Sequence, residues 1–139
     1  MKKILFVCVE NSARSQMAEA FFNKISKKTK AESAGTKPAS IVNPTAVQVM
    51  KEIGIDISRV RPRLLTLEMI DSADRIVTMG CMSGDVCPAA IVPTEDWGIE
   101  DPTGKSIEKF RKIREIIKEK VEKLVQDLEK NKNFNQNRV

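Results

Sequence analysis

The segment CVENSARS, at positions 8–15, places an arginine after a cysteine with five residues between them. An apolar run ends at Cys8 and a helical pattern begins at Ser15, which predicts a loop between a strand and a helix. Backbone N–H groups converge in such a loop, and the helix N-terminus adds partial positive charge, so an oxyanion site is expected. Arg14 supplies a planar fork that matches two oxygens of a tetrahedral anion. The same field stabilises Cys8 as a thiolate that can attack the central atom.

Consecutive residues of this loop are predicted to bind the anion or to hold the loop in shape. Ser15 can donate a hydrogen bond to the Cys8 sulfur, and Asn11 can tie the loop together. The alternative interpretation is a buried cysteine at the end of a core strand, with Arg14 on the surface. The predicted oxyanion-binding residues are Glu10, Asn11, Ser12, Ala13, Arg14 and Ser15.

Two further cysteines, Cys81 and Cys87, accompany Cys8, and the chain contains no histidine. An odd number of cysteines in a reducing compartment argues against structural disulfides. The spacing of the cysteines matches no zinc module, and three thiolates would need a fourth ligand, so we expect no metal. Redox or nucleophilic use of the thiols is the favoured interpretation, and two structural cysteines in a loop are the alternative for Cys81 and Cys87.

Strand and helix patterns alternate along the chain that must position these side chains. Apolar runs predict strands at 3–8, 31–34, 75–79 and 90–93, and helical spacing with capping residues predicts helices at 15–28, 43–53, 66–72 and from 106 onward. This alternation predicts an α/β three-layer sandwich with a four-stranded parallel sheet. Ligands bind at the carboxyl ends of such strands, so Cys8, Cys81 and Cys87 are expected at one edge of the sheet.

The chain has 139 residues, the size of one domain. We expect that domain to span 1–130 and the polar stretch 131–139 to form a frayed tail. The net charge of +5 is interleaved with acids and accompanied by one Trp and no Tyr, so no nucleic-acid partner is expected. No apolar run approaches the ~20 residues of a membrane helix, and no signal peptide is recognised. We therefore expect a cytoplasmic monomer without a membrane partner.

The stretch CVENSARSQMAE, at positions 8–19, resembles the signature of the low-molecular-weight protein tyrosine phosphatase superfamily. Within that superfamily the sequence is most similar to the thioredoxin-coupled arsenate reductases. The similarity continues through 32–35, 43–44, 54–58 and 97–102, and it covers nearly the whole chain except the tail. It implies a low-molecular-weight phosphatase-like fold, the same architecture that the alternation of elements predicts independently.

The resemblance implies an arsenate reductase of arsenic resistance and detoxification that works by a thiol relay. Cys8 attacks arsenate while Asp101 protonates the leaving oxygen. The alternative interpretation of Asp101 is an ordinary Asp-Pro turn. Cys81 then attacks the Cys8 sulfur and arsenite leaves. Cys87 attacks Cys81, and thioredoxin or a similar dithiol protein reduces the redox-active Cys81–Cys87 disulfide. No flavin or metal is implied.

Two alternatives remain open at this point. A low-molecular-weight protein tyrosine phosphatase that uses Cys8 and Asp101 would begin with the same attack. Such an enzyme needs aromatic walls for the phenyl ring, and the chain has no Tyr; Gln16, where the phosphatases typically have proline, also favours the reductase. The second alternative is a non-enzymatic oxyanion or redox sensor that exposes a disulfide to a partner.

The loop departs from the family pattern at two positions. Glu10 stands where family members usually have glycine, which tolerates a positive φ better and places no carboxylate beside the anion. Ala13 replaces a common cysteine. Further along, the spacing from Cys81 to Cys87 is one residue shorter than usual.

A fourth departure concerns potassium, which many of these reductases bind through an Asn, a Glu, a Ser and an Asp. Asn11, Glu19 and Ser33 match the first three of these, as residues that support the loop. Arg63 stands where the Asp is expected, and its guanidinium is predicted to take the place of the cation and to tie the loop to Asn11. We therefore expect a potassium-independent enzyme.

Overall fold

The structure, a computed structural model, describes residues 3–80 and 94–137. Within these ranges every strand pair is parallel, and the strand order β2-β1-β3-β4 places β1 in the interior of the sheet. The predicted α/β architecture with a four-stranded parallel sheet is confirmed. The elements are β1 (Lys3–Cys8), α1 (Arg14–Ile25), β2 (Lys30–Gly35), α2 (Pro44–Lys51), α3 (Leu67–Ser72), β3 (Arg75–Thr78), β4 (Thr94–Asp96) and α4 (Ile107–Asn137).

Side chains from β1 alternate between two apolar layers, one on each face of the sheet. Ile4 and Phe6 belong to the larger cluster, which they share with buried residues of α1, α2 and α4. Leu5 and Val7 belong to a smaller cluster that includes Ile70 of α3. This alternation produces the predicted three layers, and β1 ends at Cys8.

Two helices begin with the capping residues that the sequence indicates. The Asn43 side chain accepts a hydrogen bond from the Thr45 N–H, with Pro44 in the first helical position, and the Thr66 side chain accepts one from the Met69 N–H. In α1, the N-cap position falls on Ala13, which makes no side-chain capping bond. Its first N–H groups are therefore left for another acceptor.

The boundaries of several elements differ from the predictions, most clearly in α1, β4 and α4. Helix α1 ends at Ile25 rather than near 28, with Ser26 as its C-cap. The described fourth strand begins at Thr94, and the predicted strand at 90–93 lies outside the described residues. Helix α4 continues to Asn137, past the predicted start of a frayed tail at 131. None of the helices in the described part of the chain is long and apolar enough to cross a membrane.

Candidate active site

Cys8 lies at the end of β1, where its side chain is 7% exposed. Its sulfur lies 2.8 Å from the Ser15 hydroxyl oxygen and accepts a hydrogen bond from the Asn11 N–H at 3.1 Å. Asn11 Nδ2 donates to that same Ser15 oxygen at 2.7 Å, so the hydroxyl proton is left to point at the sulfur. Two hydrogen-bond donors therefore converge on the Cys8 sulfur.

Asn11 is fully buried and uses its whole side-chain amide. Its Nδ2 donates to Ser33 at 2.9 Å as well as to Ser15, and its Oδ1 accepts from Gln16 Nε2 at 3.0 Å and from the Arg63 N–H at 2.9 Å. Its φ of 52° is the only positive value at a non-glycine residue among those described. The amide thus joins the loop to α1, to β2 and to the segment before α3.

A positive φ at position 10 would favour glycine there. In the structure the positive φ occurs at Asn11 and not at Glu10. The Glu10 side chain is exposed, and its Oε2 lies 3.5 Å from the Ser12 hydroxyl. The backbone of Glu10 is anchored by the Ala39 N–H, which donates to its carbonyl at 2.9 Å. The departure from glycine is therefore accommodated without backbone strain.

Arg14 is buried, and its guanidinium is held by backbone on two other segments. Nη1 donates to the carbonyls of Met79, at 3.2 Å, and Ile99, at 2.8 Å. Nη2 lies 4.0 Å from Asp101 Oδ2. The two carbonyls orient the planar group, and they leave the Nη2 side directed towards Asp101 and the mouth of the site.

Asp101 lies on the segment after β4, and its side chain is half exposed. Its Oδ1 accepts hydrogen bonds from the N–H of Thr103, at 3.0 Å, and from the Thr103 hydroxyl, at 2.8 Å. Its Oδ2 is the oxygen on the Arg14 side. This oxygen is therefore the one available to exchange a proton with a ligand.

Among the described residues, these side chains line a small, partly open cavity. Helix α1 points its N-terminus at this place, without an acidic residue in its first turn. An anion here would meet uncapped N–H groups, a guanidinium and the Cys8 sulfur. The residues that line the cavity are Cys8, Glu10, Ser12, Ala13, Arg14 and Asp101.

Behind the loop, Glu19 accepts a hydrogen bond from the Ser33 hydroxyl at 3.1 Å, and its Oε1 lies 3.9 Å from Arg63 Nη1. Burial raises the pKa of Glu19 above its ordinary value, and the Arg63 charge and the Ser33 hydrogen bond only partly offset that effect. The Arg63 guanidinium therefore lies beside the Glu19 carboxylate. The expected tie to Asn11 is made by the Arg63 backbone N–H instead, so that part of the prediction is wrong.

Gly35 is a residue of the site that the sequence predictions omit. It pairs with Cys8 across β1 and β2, and a Cβ atom added to it would lie 2.5 Å from the Val9 carbonyl oxygen and 3.0 Å from the Asn11 nitrogen. Its own backbone binds the carbonyl of Arg63 and the N–H of Leu65. A glycine that closes a strand beside a functional loop is the signal that could have indicated this close approach.

Gln16 is also missing from the predicted site, although its identity was noted in the sequence. Its side chain is buried and donates to Asn11 and, at 3.4 Å, to the Arg61 carbonyl. The structure thus brings together Cys8, Arg14, Asp101 and the rest of the predicted loop. The predicted relay residues Cys81 and Cys87 lie outside the described residues.

The description of the matching family is Low molecular weight phosphotyrosine protein phosphatase, and its sequence pattern covers residues 3–134. The chain belongs to this family. The parallel sheet, the Cys8 loop and the buried Arg14 fit this assignment.

Relatives with two different activities resemble the chain over most of its length. A glutaredoxin arsenate reductase from Synechocystis sp. is 40% identical over 128 residues, which cover 90% of this chain and 97% of the relative. The structure of an arsenate reductase from Archaeoglobus fulgidus matches with a TM-score of 0.78 and 40% identity, over 88% of this chain and 98% of the other. An arginine phosphatase from Geobacillus stearothermophilus matches with a TM-score of 0.83 and 32% identity, over 94% and 95%.

Proposed function

We propose that this protein reduces arsenate to arsenite, with Cys8 as the nucleophile. The observation that carries the proposal is the Cys8 sulfur itself, which receives two hydrogen-bond donors beside a buried Arg14 and an uncapped helix N-terminus. This geometry suits attack on a small tetrahedral oxyanion. Relatives named arsenate reductases, similar over nearly the whole chain, support arsenate as that anion.

In the first step the Cys8 thiolate attacks the arsenic atom while Arg14 and the loop N–H groups hold the remaining oxygens. One As–O bond breaks, and Asp101 gives its proton to the departing oxygen, so that water leaves. The Oδ2 atom of Asp101, which faces Arg14, is the oxygen suited to this transfer. The product is a covalent Cys8–arsenate adduct, and arsenic is still in its oxidised state.

The two electrons come from thiols. Cys81 attacks the Cys8 sulfur, the S–As electron pair stays on arsenic, and arsenite leaves from a Cys8–Cys81 disulfide. Cys87 then attacks Cys81 and releases the Cys8 thiolate, which leaves the oxidising equivalents in a Cys81–Cys87 disulfide. Cys81 and Cys87 follow β3 closely in the sequence.

An external dithiol protein completes the cycle by reducing the Cys81–Cys87 disulfide, and neither flavin nor metal takes part. We propose thioredoxin for this role, and the name of the Synechocystis relative makes glutaredoxin the competitor to test. Turnover of arsenate should be measured with each reductant alone. Activity with glutaredoxin and glutathione but not with thioredoxin would contradict this assignment while leaving arsenate reduction in place.

Mass spectrometry after arsenate treatment without a reductant tests the relay most directly. Wild type should lose two hydrogens, located at Cys81–Cys87, and Cys8→Ser should not. A Cys87→Ser variant is the matched control, because it should stop at a Cys8–Cys81 disulfide. Three free thiols in wild type after arsenate treatment would overturn the proposal.

Protein phosphatase activity is the second candidate, favoured by the match to the arginine phosphatase. Cys8, Arg14 and Asp101 could also cleave a phosphoryl group, since the first attack is shared. Steady hydrolysis of an aryl or arginine phosphate by a Cys81→Ser, Cys87→Ser variant, with no arsenate turnover by wild type, would establish it.

We also propose that the enzyme needs no potassium, because the Arg63 guanidinium lies beside Glu19 as a built-in positive charge. Activity should be equal in potassium and sodium salts at matched ionic strength. Arg63→Ala should lose activity modestly in both salts. A large stimulation of wild type by potassium would contradict this proposal.

A further inference from the structure

Two carboxylates and one guanidinium line the cavity above Cys8. Arg14 is buried, whereas Glu10 and Asp101 are exposed at its mouth. With Cys8 as the attacking thiolate and Asp101 carrying the proton that it donates, the described lining holds one more negative than positive side chain before any ligand enters. An additional negative charge on the ligand is disfavoured by Coulomb repulsion, and a proton on the ligand relieves it.

The two carboxylates differ in what they can offer a ligand. Asp101 has one oxygen committed to Thr103 and the other near Arg14, and its proposed role is to give a proton to the leaving oxygen. Glu10 is on the anion-binding loop itself, its backbone is anchored to Ala39, and its only side-chain bond in the described structure is the long one to Ser12. Its carboxylate is thus available to accept a hydrogen bond.

We propose that Glu10 makes the site select oxyanions that carry a proton. An ionised carboxylate only accepts hydrogen bonds, so it attracts an As–OH or P–OH group and repels a bare oxygen. Arsenate and phosphate are protonated at neutral pH, whereas sulfate is not, and the monoanion of arsenate would be favoured over its dianion. This inference rests on the proposed function for the identity of the substrate.

The same choice should appear in the pH dependence of substrate binding. The ionisable groups that line the cavity with Glu10 are Cys8, Arg14 and Asp101, and Lys37 lies on the segment whose backbone binds the carbonyls of Val9 and Glu10. Arsenate loses its second proton in the neutral pH range, where carboxylates are ordinarily charged. The KM of wild type for arsenate should therefore rise with pH. In Glu10→Gln, the ratio of KM at high pH to KM at low pH should be about threefold to tenfold smaller than in wild type.

Protection of Cys8 from alkylation provides a test that does not depend on turnover. In a Cys81→Ser, Cys87→Ser background, iodoacetamide reports on Cys8 alone, and inorganic phosphate and sulfate are the probes. Phosphate should protect at far lower concentration than sulfate. Glu10→Gln should narrow that ratio by about threefold to tenfold, mainly through better binding of sulfate. Glu122→Gln, which removes an exposed charge from α4, is the matched control and should leave the ratio unchanged.

An unchanged phosphate-to-sulfate ratio in Glu10→Gln would overturn this inference, even if arsenate is reduced normally. A narrowed ratio in a protein that fails to reduce arsenate would support the selectivity and refute the proposed function. A failure of the inferred selectivity and a failure of the proposed function can therefore be distinguished. Added salt should weaken the effect of Glu10, because an exposed charge is screened.

Discussion

The two halves of the candidate site differ in the contacts that hold them in place. Apart from Val9 and the exposed Glu10, the loop from Cys8 to Ser15 is buried, and the Asn11 side chain binds groups on α1, β2 and the segment before α3. Asp101 is half exposed, and its strongest bonds go to Thr103, two residues away. The half that we propose to hold the anion is fixed by long-range hydrogen bonds, whereas Asp101 has local hydrogen bonds and one longer contact, of 4.0 Å, with Arg14.

The largest effect expected from this difference is on activity. Cys8→Ser should lower kcat/KM for arsenate by at least about 10⁴-fold, because a serine hydroxyl is a much weaker nucleophile than a thiolate. Asp101→Asn should cost about 10²- to 10³-fold, since water can replace a general acid at an exposed position. Steady-state kinetics of both variants would check this order, and circular dichroism would confirm that each remains folded. An equal loss in both variants would contradict the comparison.

A second effect should appear in stability, at the glycine that contacts the loop. In Gly35→Ala the new methyl group would meet the Val9 carbonyl and the Asn11 backbone, so we expect a loss of about 2–3 kcal/mol in the free energy of unfolding. Gly54→Ala is the matched control, since its φ is 82° but no atom lies within 4 Å of the added Cβ. It should cost only about 1 kcal/mol of backbone strain.

Urea unfolding of the two glycine variants measures this difference directly. Gly35→Ala should also lower kcat/KM, because the atoms it displaces belong to the nucleophile loop, and Gly54→Ala should not. A Gly35→Ala protein as stable and active as wild type would show that the loop is less rigid than its contacts indicate.

The smallest expected effect is a pH dependence behind the loop. Because burial raises the pKa of Glu19, its ionisation costs stability in the folded protein, and that cost appears as pH rises through the raised pKa. Glu19→Gln keeps an oxygen for Ser33 and removes the charge. The variant should therefore gain stability relative to wild type as pH rises above the ordinary pKa of glutamate, with little difference at the acid end.

Urea unfolding at several pH values would detect this trend, with Glu122→Gln as the exposed control. If the difference in free energy of unfolding between Glu19→Gln and wild type becomes smaller as pH rises, the Arg63 charge outweighs the burial of Glu19.

The parts of the fold that were predictable depend on local patterns. The apolar run before Cys8, the caps at Asn43 and Thr66 and the alternation of elements all act within a few residues. The Cys-x5-Arg loop is local in the same sense, so the nucleophile and its anion-binding residues could be named from the sequence.

Long-range contacts account for what the sequence could not supply. Gly35 reaches the loop because β2 pairs with β1, and Arg63 reaches Asn11 because its segment runs beside Gly35. The positive φ, considered for Glu10, falls on Asn11, whose side chain is held by partners from three other segments. Such partners become neighbours only after the sheet has formed.

The Asn11 side chain is also of a type that proteins can lose by spontaneous deamidation. Asparagine followed by a small residue such as Ser12 is prone to deamidation in a flexible chain, because the next backbone nitrogen can attack the side-chain carbonyl. Here four hydrogen bonds hold the amide in place. An Asn11→Asp change would replace both Nδ2 donors with acceptors, and Ser15 would turn its proton away from Cys8. The fold thus protects the nucleophile from the loss of a single nitrogen atom.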